Sequence, residues 1–212
     1  KLVVNVGVIG AGWVAIDRHL PALKKTRNAN ISAIFDRNAD RAANAARKYG
    51  AQALHFSVDE LLSQPIDAVV ICTPPQAHFE LITKTLEAGK HVLVEKPMGR
   101  SVAECDRMIE ACHRAGICLG VAYYRRFYPV VERMQQLLQE GHLGDLLAIG
   151  AVTANPFQMS PQDDGYWRVL PDIGGGGALM DIGSHRLNLF LHLAGRVRAV
   201  KACCDTVAAT YH

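Results

Sequence analysis

Apolar and polar positions divide the first 121 residues into regular, alternating blocks. Short apolar runs bounded by glycine, proline or polar residues predict strands, and longer segments with one apolar face predict helices. Strands are predicted at 3–9, 31–35, around 53, 68–71, 92–94 and 117–121. Helices are predicted after residue 12 and at 39–49, 58–62, 76–88 and 101–115. Because the two kinds of element take turns, the pattern predicts an α/β domain with a doubly wound parallel sheet.

The pattern changes near residue 122, and we place a domain boundary at 121/122, which gives domains 1–121 and 122–212. An amphipathic helix is predicted to run through Gln139, and a longer strand is predicted at 146–153. Beyond the irregular stretch 155–172, a further helix is predicted to carry Asp181 and His185.

Composition and charge narrow the classes of partner. Half of the residues are hydrophobic, a fifth are charged, and the net charge of +3 is too small to favour nucleic acid or an anionic membrane surface. No apolar run reaches the roughly 18 residues of a membrane span. The six cysteines lack CxxC spacing, and adjacent Cys203 and Cys204 would alternate faces of a strand, so no metal cage is predicted. Buried thiols and a reducing, cytoplasmic setting are expected instead.

A glycine-rich turn follows the first predicted strand. Gly10, Gly12 and Ala15 form a GxGxxA pattern that opens a helix, and Asp36 follows 21 positions after Ala15. This spacing is typical of dinucleotide binding: Gly10 allows the tight turn, Gly12 lets backbone N–H groups approach a pyrophosphate, and Ala15 packs helix on strand. The adjacent Trp13 and Val14 join the predicted cofactor contacts. The alternative is a glycine turn that binds nothing.

The acidic residue at the end of the second strand bears on cofactor choice. Asp36 is suited to accept hydrogen bonds from ribose hydroxyls and would repel a 2′-phosphate, which favours NAD over NADP. Arg37 complicates this prediction, because its guanidinium would lie on the adenine, bind that phosphate or be a solvated charge. NAD is therefore the predicted cofactor, with NADP possible.

Two further strand ends point to the same crevice, because ligands of open parallel sheets bind at the carboxyl ends of the strands. Thr73 and Pro74 are predicted to line the nicotinamide ribose, with His78 beside them; a rigid connector is the alternative. Glu95 and Lys96 end a buried strand and are either site residues or its first solvated residues.

The second domain supplies the remaining candidates. Asp181 and His185 are four positions apart, hence on one helical face, and form a plausible proton-transfer pair, although such pairs are more often structural. Arg126, Trp167 and Arg168 are candidate substrate contacts, because they lie in an aromatic and basic stretch and in a long polar loop.

Four ordered motifs, GAGWVA, TPPQAH, AGKHVLVEKP and GGGALMDIGSH, resemble those of the glucose–fructose oxidoreductase/inositol dehydrogenase (Gfo/Idh/MocA) family. The resemblance extends from Val6 to about Gly195. It implies an N-terminal Rossmann domain followed by an α/β domain with a mostly antiparallel open sheet. It also implies hydride exchange between a nicotinamide cofactor and a carbinol or carbonyl of a sugar, cyclitol or related small molecule.

The same resemblance assigns roles to individual residues. Lys96 becomes the active-site lysine, Asp181 its carboxylate partner and His185 the general acid/base, while Glu95 helps to position the nicotinamide side. It also implies a cis peptide bond before Pro97. Many relatives carry Asp three positions after the helix histidine, where this chain has Asn188, which leaves the orientation of His185 open.

Two other functions remain open at this stage: an NAD-dependent glycoside hydrolase that oxidises its substrate transiently, and a non-catalytic nucleotide or sugar sensor. Members of the family are usually longer, so the second domain is expected to be truncated. A half-sheet would leave an exposed edge, and a homo-oligomer that shares the C-terminal sheet is the corresponding expectation.

Overall fold

The structure is a computed structural model that describes residues 3–153, 159–195, 198 and 201. Contacts divide the chain into two compact units, one comprising Lys1–Tyr123 and Ala154–His185 and the other Tyr124–Thr153 and Arg186–His212. The boundary at 121/122 stays a prediction, since this division groups part of the second predicted domain with the first.

Six parallel strands form the sheet of the first unit. They are β1 (Val4–Ile9), β2 (Ala29–Phe35), β3 (Gln52–Leu54), β4 (Ala68–Ile71), β5 (His91–Val94) and β6 (Leu119–Val121). Their order in the sheet is β3-β2-β1-β4-β5-β6, which reverses direction beside β1 as in a Rossmann fold. The predicted doubly wound parallel sheet is confirmed.

The helices between these strands cover both faces of the sheet. A π-helical turn (Ala15–His19) leads into α1 (Leu20–Lys25), and α2 (Ala39–Tyr49), α3 (Val58–Leu62), α4 (His78–Glu87) and α5 (Val102–Ala115) follow. On one face, Val8, Ile34 and Val70 pack with apolar residues of α1 and α2. On the other face, Ile9, Phe35 and Ile71 pack with α3, α4 and α5. Strands buried on both sides explain the unbroken apolar runs in the sequence.

Local capping fixes where the longer helices begin. The side chain of Asn38 accepts a hydrogen bond from the backbone N–H of Arg41 at the start of α2. Ser101 accepts one from the backbone N–H of Glu104 at the start of α5.

The remaining described elements are α6 (Pro129–Gln139), α7 (Pro171–Gly174), a π-helical turn (Leu179–Gly183) and α8 (Ser184–Ala194). The strand predicted at 146–153 is wrong: these residues form no strand, and Leu147 and Val152 are 93% and 95% exposed. A strand is stabilised by hydrogen bonds to a neighbouring strand, and 146–153 have none among the described residues. The antiparallel sheet expected after residue 121 is thus not formed by the described part of the chain, and Cys203 and Cys204 lie outside it.

Two further findings concern the thiols and the helices. Cys72 and Cys112 are buried, Cys118 is exposed, and these three and Cys105 are free thiols. Burial, and after it the charge of Glu95, raise the pKa of the Cys72 thiol well above its usual value.

Among the described residues, no helix has the length and apolar character needed to cross a bilayer.

Candidate active site

Three loops meet at the carboxyl edge of the sheet because their strands are neighbours. The loop after β1 begins at Gly10, the loop after β4 contains Thr73, and the loop after β5 contains Lys96. Backbone hydrogen bonds continue the strands into these loops: Cys72 donates to Ile9 at 2.8 Å and Glu95 donates to Ile71 at 2.9 Å. The carboxyl ends of the central strands therefore converge at the switch in strand order, where such sheets bind ligands.

A cavity of about 750 Å³ opens beside these loops, entirely within the first unit. This volume lies within the range of roughly 300–1,000 Å³ typical of cofactor and ligand sites. Ten of the predicted site residues line it: Gly10, Gly12, Trp13, Val14, Asp36, Arg37, Thr73, Pro74, Trp167 and Arg168.

The glycine turn has the geometry that a dinucleotide requires. Gly10 has a φ of +94°, and a Cβ atom there would lie 3.1 Å from the backbone carbonyl of Cys72. A Cβ on Gly12 would meet no atom within 4 Å, so its backbone faces open space. The buried hydroxyl of Thr73 lines the same cavity and has no hydrogen-bond partner among the described residues. An accessible backbone and an unused hydroxyl fit a phosphate and ribose ligand.

Asp36 organises the turn as well as facing the cavity. One carboxylate oxygen accepts a hydrogen bond from the backbone N–H of Ala11 at 2.7 Å, and the other accepts from that of Asn38 at 2.8 Å. The sequence did not predict these two bonds. Each carboxylate oxygen can accept more than one hydrogen bond, so the predicted role toward ribose hydroxyls is compatible with them.

Positive charge lies on the same wall of the cavity. Arg37 and Arg41 both line it, and Arg41 forms an ion pair with Asp164 at 2.6 Å. Arg41 and Asp164 were not predicted as site residues, although a basic residue one helical turn after Arg37 is a readable signal.

Lys96 and Asp181 form the central charged pair. The ammonium group donates to the Asp181 carboxylate and, at 3.0 Å, to the Asp181 backbone carbonyl. Arg168 lies 3.7 Å from the second carboxylate oxygen and 4.7 Å above the ring of Trp167. The Lys96 side chain is 13% exposed, so the ammonium is held in a largely dry environment. The predicted pairing of Lys96 with Asp181 is found, and Lys96-Pro97 is a cis peptide bond.

His185 is buried, at 4% exposure, and its ring lies edge-on to Tyr123 with 6.0 Å between the ring centroids. Asp181 lies in the π-helical turn that precedes α8, and His185 lies in the first turn of α8 itself. The general acid/base role of His185 stays a prediction.

His78, which was predicted to contact the cofactor, lies elsewhere. It is fully buried and does not line the cavity. Its Nδ1 atom lies 3.0 Å from the carbonyl oxygen of Pro97 and 3.2 Å from that of Met98, and its Nε2 atom lies 2.9 Å from that of Thr73. Burial lowers the pKa of His78, against the effect of these carbonyls and of the Glu95 charge. His78 thus joins the loops after β4 and β5.

Glu95 is also buried, and it pairs with a residue that the sequence analysis missed. One carboxylate oxygen lies 2.7 Å from Nε2 of His19, and the other accepts the backbone N–H of Lys96 at 3.1 Å. His19 gave no signal beyond being a polar residue in a helix otherwise packed on the sheet.

Arg126, predicted to contact substrate, lies in the second unit. Its guanidinium donates to the side-chain oxygen of Asn188 at 3.1 Å and 3.3 Å. Asn188, the position that departs from the family pattern, therefore has a defined hydrogen-bonding role there.

Comparison with known proteins gives a consistent result. Residues 4–123 match the family described as oxidoreductase family, NAD-binding Rossmann fold, and residues 131–211 match the GFO/IDH/MocA C-terminal domain. An oxidoreductase of Formosa agariphila is 32% identical over 201 residues, which cover 93% of this chain and 63% of that protein. Levoglucosan dehydrogenase of Pseudarthrobacter phenanthrenivorans is 30% identical over 215 residues, covering 95% and 54%.

Among solved structures, a 3-ketoreductase from Actinomadura kijaniata in complex with NADP and TDP-benzene superimposes with a TM-score of 0.77 at 30% identity. The match covers 91% of this chain and 58% of that one. The chain thus spans little more than half the length of the relatives that it matches. With both family domains matched in order, the chain belongs to the GFO/IDH/MocA oxidoreductase family.

Proposed function

We propose that the protein transfers hydride between NAD(P) and a carbinol or carbonyl carbon of a sugar, polyol or related small molecule. The observation that carries this proposal is a largely buried ammonium, Lys96, held by Asp181 at the carboxyl edge of a dinucleotide-type sheet. When bound, the cofactor supplies the hydride acceptor or donor.

The residues of the cavity fit the two ends of such a cofactor. The turn from Gly10 to Val14 offers backbone N–H groups to the pyrophosphate, and Asp36 accepts hydrogen bonds from the adenosine ribose. Thr73 and Pro74 line the part next to β4, where the free hydroxyl of Thr73 is a donor and acceptor for the second ribose.

The charged residues serve the proton and the developing charge. Oxidation of a carbinol requires a base on its hydroxyl, and the imidazole of His185 is suited to this role near neutral pH. A fixed ammonium beside that oxygen stabilises negative charge as it forms, an effect commonly worth about 100- to 1,000-fold in rate. Asp181 orients the ammonium, and Arg168 shares the same carboxylate.

The substrate class rests on the relatives, which include enzymes named for levoglucosan and for a dTDP-linked deoxy sugar. Trp167 offers an apolar ring face, and Arg168 offers several N–H donors, which suit a hydroxylated ring. We propose these two residues as substrate contacts.

The cofactor preference follows from the opposing charges at one wall of the cavity. Asp36 disfavours a 2′-phosphate, whereas Arg37 and Arg41 would bind one. Because the carboxylate of Asp164 already neutralises Arg41, NAD is the preferred cofactor and NADP the weaker one.

The proposal also covers the whole chain. We propose a domain boundary at 121/122, a reducing, cytoplasmic location, and self-association through the C-terminal region. Light scattering coupled to size-exclusion chromatography tests the last, and a monomeric mass at micromolar concentration would contradict it.

Activity is tested by screening sugars and polyols for NADH or NADPH formation, with Lys96→Ala and His185→Ala as site variants. Both should lose turnover and retain cofactor binding measured by fluorescence. Lys84→Ala is the matched control, since Lys84 forms an exposed ion pair with Asp59 outside the cavity. Full activity in either site variant would contradict the assignment, and cofactor binding without turnover in the wild type would favour a sensor.

A further inference from the structure

His19 and Glu95 form a buried pair beneath the candidate active site. The two side chains are 14% and 8% exposed, and 2.7 Å separates Nε2 of His19 from the nearer carboxylate oxygen. A buried carboxylate is costly unless it is hydrogen-bonded. Within the described residues, this carboxylate also accepts a hydrogen bond from the backbone N–H of Lys96, at 3.1 Å. The pair therefore reaches the backbone of the proposed active-site lysine directly.

The two partners come from distant parts of the fold. His19 ends the π-helical turn Ala15–His19, which begins shortly after Gly12 in the glycine turn. Glu95 directly follows β5 and precedes the cis bond at Pro97. The hydrogen bond thus joins the helix of the proposed pyrophosphate site to the loop that carries Lys96, across 76 positions of sequence.

Lys96 is consequently held at both ends. Its backbone N–H donates to Glu95, and its ammonium donates to Asp181. Proton and hydride transfer depend on placement, and a displacement of about 1 Å can cost about 100-fold in rate. We propose that His19 is a positioning residue: through Glu95 it fixes Lys96 relative to the helix that carries the cofactor site.

This inference rests on the proposed function for its kinetic consequence and on the structure alone for its geometric consequence. Three variants separate the two. His19→Leu removes the hydrogen bond while keeping an apolar volume, His19→Gln keeps an N–H donor in a similar place, and His19→Asn has an amide too short to reach. His113→Leu is the matched control, because His113 lies on the exposed face of α5.

The kinetic readout is single-turnover hydride transfer with cofactor bound in advance, beside the cofactor dissociation constant. His19→Leu should slow transfer by about 10- to 100-fold with little change in cofactor affinity, and His19→Gln should restore most of the rate. A residue that only stabilises the fold would not show this split. Should His19→Leu fail to fold, His19→Asn takes its place with the same expectation.

The geometric readout is the rate at which an amine-reactive reagent modifies Lys96, followed by mass spectrometry of the purified chain. His19→Leu should raise this rate and His19→Gln should not, while Lys84 is modified equally in all variants. If the wild type transfers no hydride to any substrate, the proposed function fails and the labelling still decides the positioning role. Unchanged labelling of Lys96 in His19→Leu and His19→Asn overturns the inference, as does equal loss of rate in His19→Gln and His19→Leu.

Discussion

Replacing the buried imidazole of His78 should destabilise the protein measurably. His78→Leu keeps much of the side-chain volume and removes both ring nitrogens, which lie within 3.2 Å of the carbonyl oxygens of Pro97, Met98 and Thr73. A neutral imidazole carries one N–H, and leaving a buried polar group without its partner costs about 1–3 kcal/mol. The free energy of unfolding should therefore fall by about 1–3 kcal/mol, with most of the loss recovered in His78→Gln.

The pH dependence of this loss has a definite sign. Burial lowers the pKa of His78, so the unfolded chain binds a proton more readily than the folded chain. The stability that the neutral imidazole contributes is therefore complete above about pH 6.5, the usual pKa of histidine, and is lost as the pH falls through the lower folded pKa. The difference in unfolding free energy between wild type and His78→Leu should accordingly shrink toward acid pH.

The assay is urea denaturation followed by circular dichroism at a series of pH values, with His113→Leu as the control for removing an exposed histidine. A His78→Leu variant as stable as wild type at neutral pH would refute the buried contact. A difference that stays constant from neutral to acid pH would refute the direction of the pKa shift.

Three further changes test the cavity. Gly12→Ala should leave the melting temperature close to that of wild type, because a Cβ there meets no atom within 4 Å. The variant should bind the cofactor more weakly when affinity is measured by calorimetry, and unchanged affinity would argue against a pyrophosphate at this turn. Asp36→Ser should raise the preference for NADPH over NADH in fluorescence titrations, and a wild type that already prefers NADPH would show the NAD assignment to be wrong. Thr73→Val should preserve the fold, since its hydroxyl has no partner among the described residues, and should lower cofactor affinity by about 0.5–1.5 kcal/mol if that hydroxyl bonds the cofactor.

The parallel sheet was predictable because its strands are buried on both faces. The run at 68–71 follows Asp67, the run at 92–94 lies between His91 and Glu95, and β4 and β5 fall within a residue of the prediction. The stretch 146–153 is equally apolar in part, yet a strand requires a neighbouring strand, and apolar sequence alone does not provide one. Predictions of strands are therefore safest where alternating helices show that a sheet surrounds them.

In the candidate site, too, some residues could be predicted from the sequence and others could not. Motif residues such as Gly10 and Asp36 were predicted because their spacing follows from the turn that connects strand to helix. The partners of Glu95 and His78 were not predicted, because contacts between a helix and a distant loop depend on how side chains pack at the sheet edge. Nothing in the spacing of the sequence indicates that His19 and Glu95, which are 76 positions apart, contact each other.

The two edge strands of the parallel sheet affect how the protein behaves at high concentration. β3 and β6 are each three residues long, so each edge of the sheet offers few unpaired backbone groups to a strand of another molecule. Proteins avoid edge-to-edge aggregation with short border strands of this kind. The parallel sheet is accordingly expected to stay free of edge-to-edge pairing at the concentrations used for crystallisation and for calorimetric titration of nucleotides.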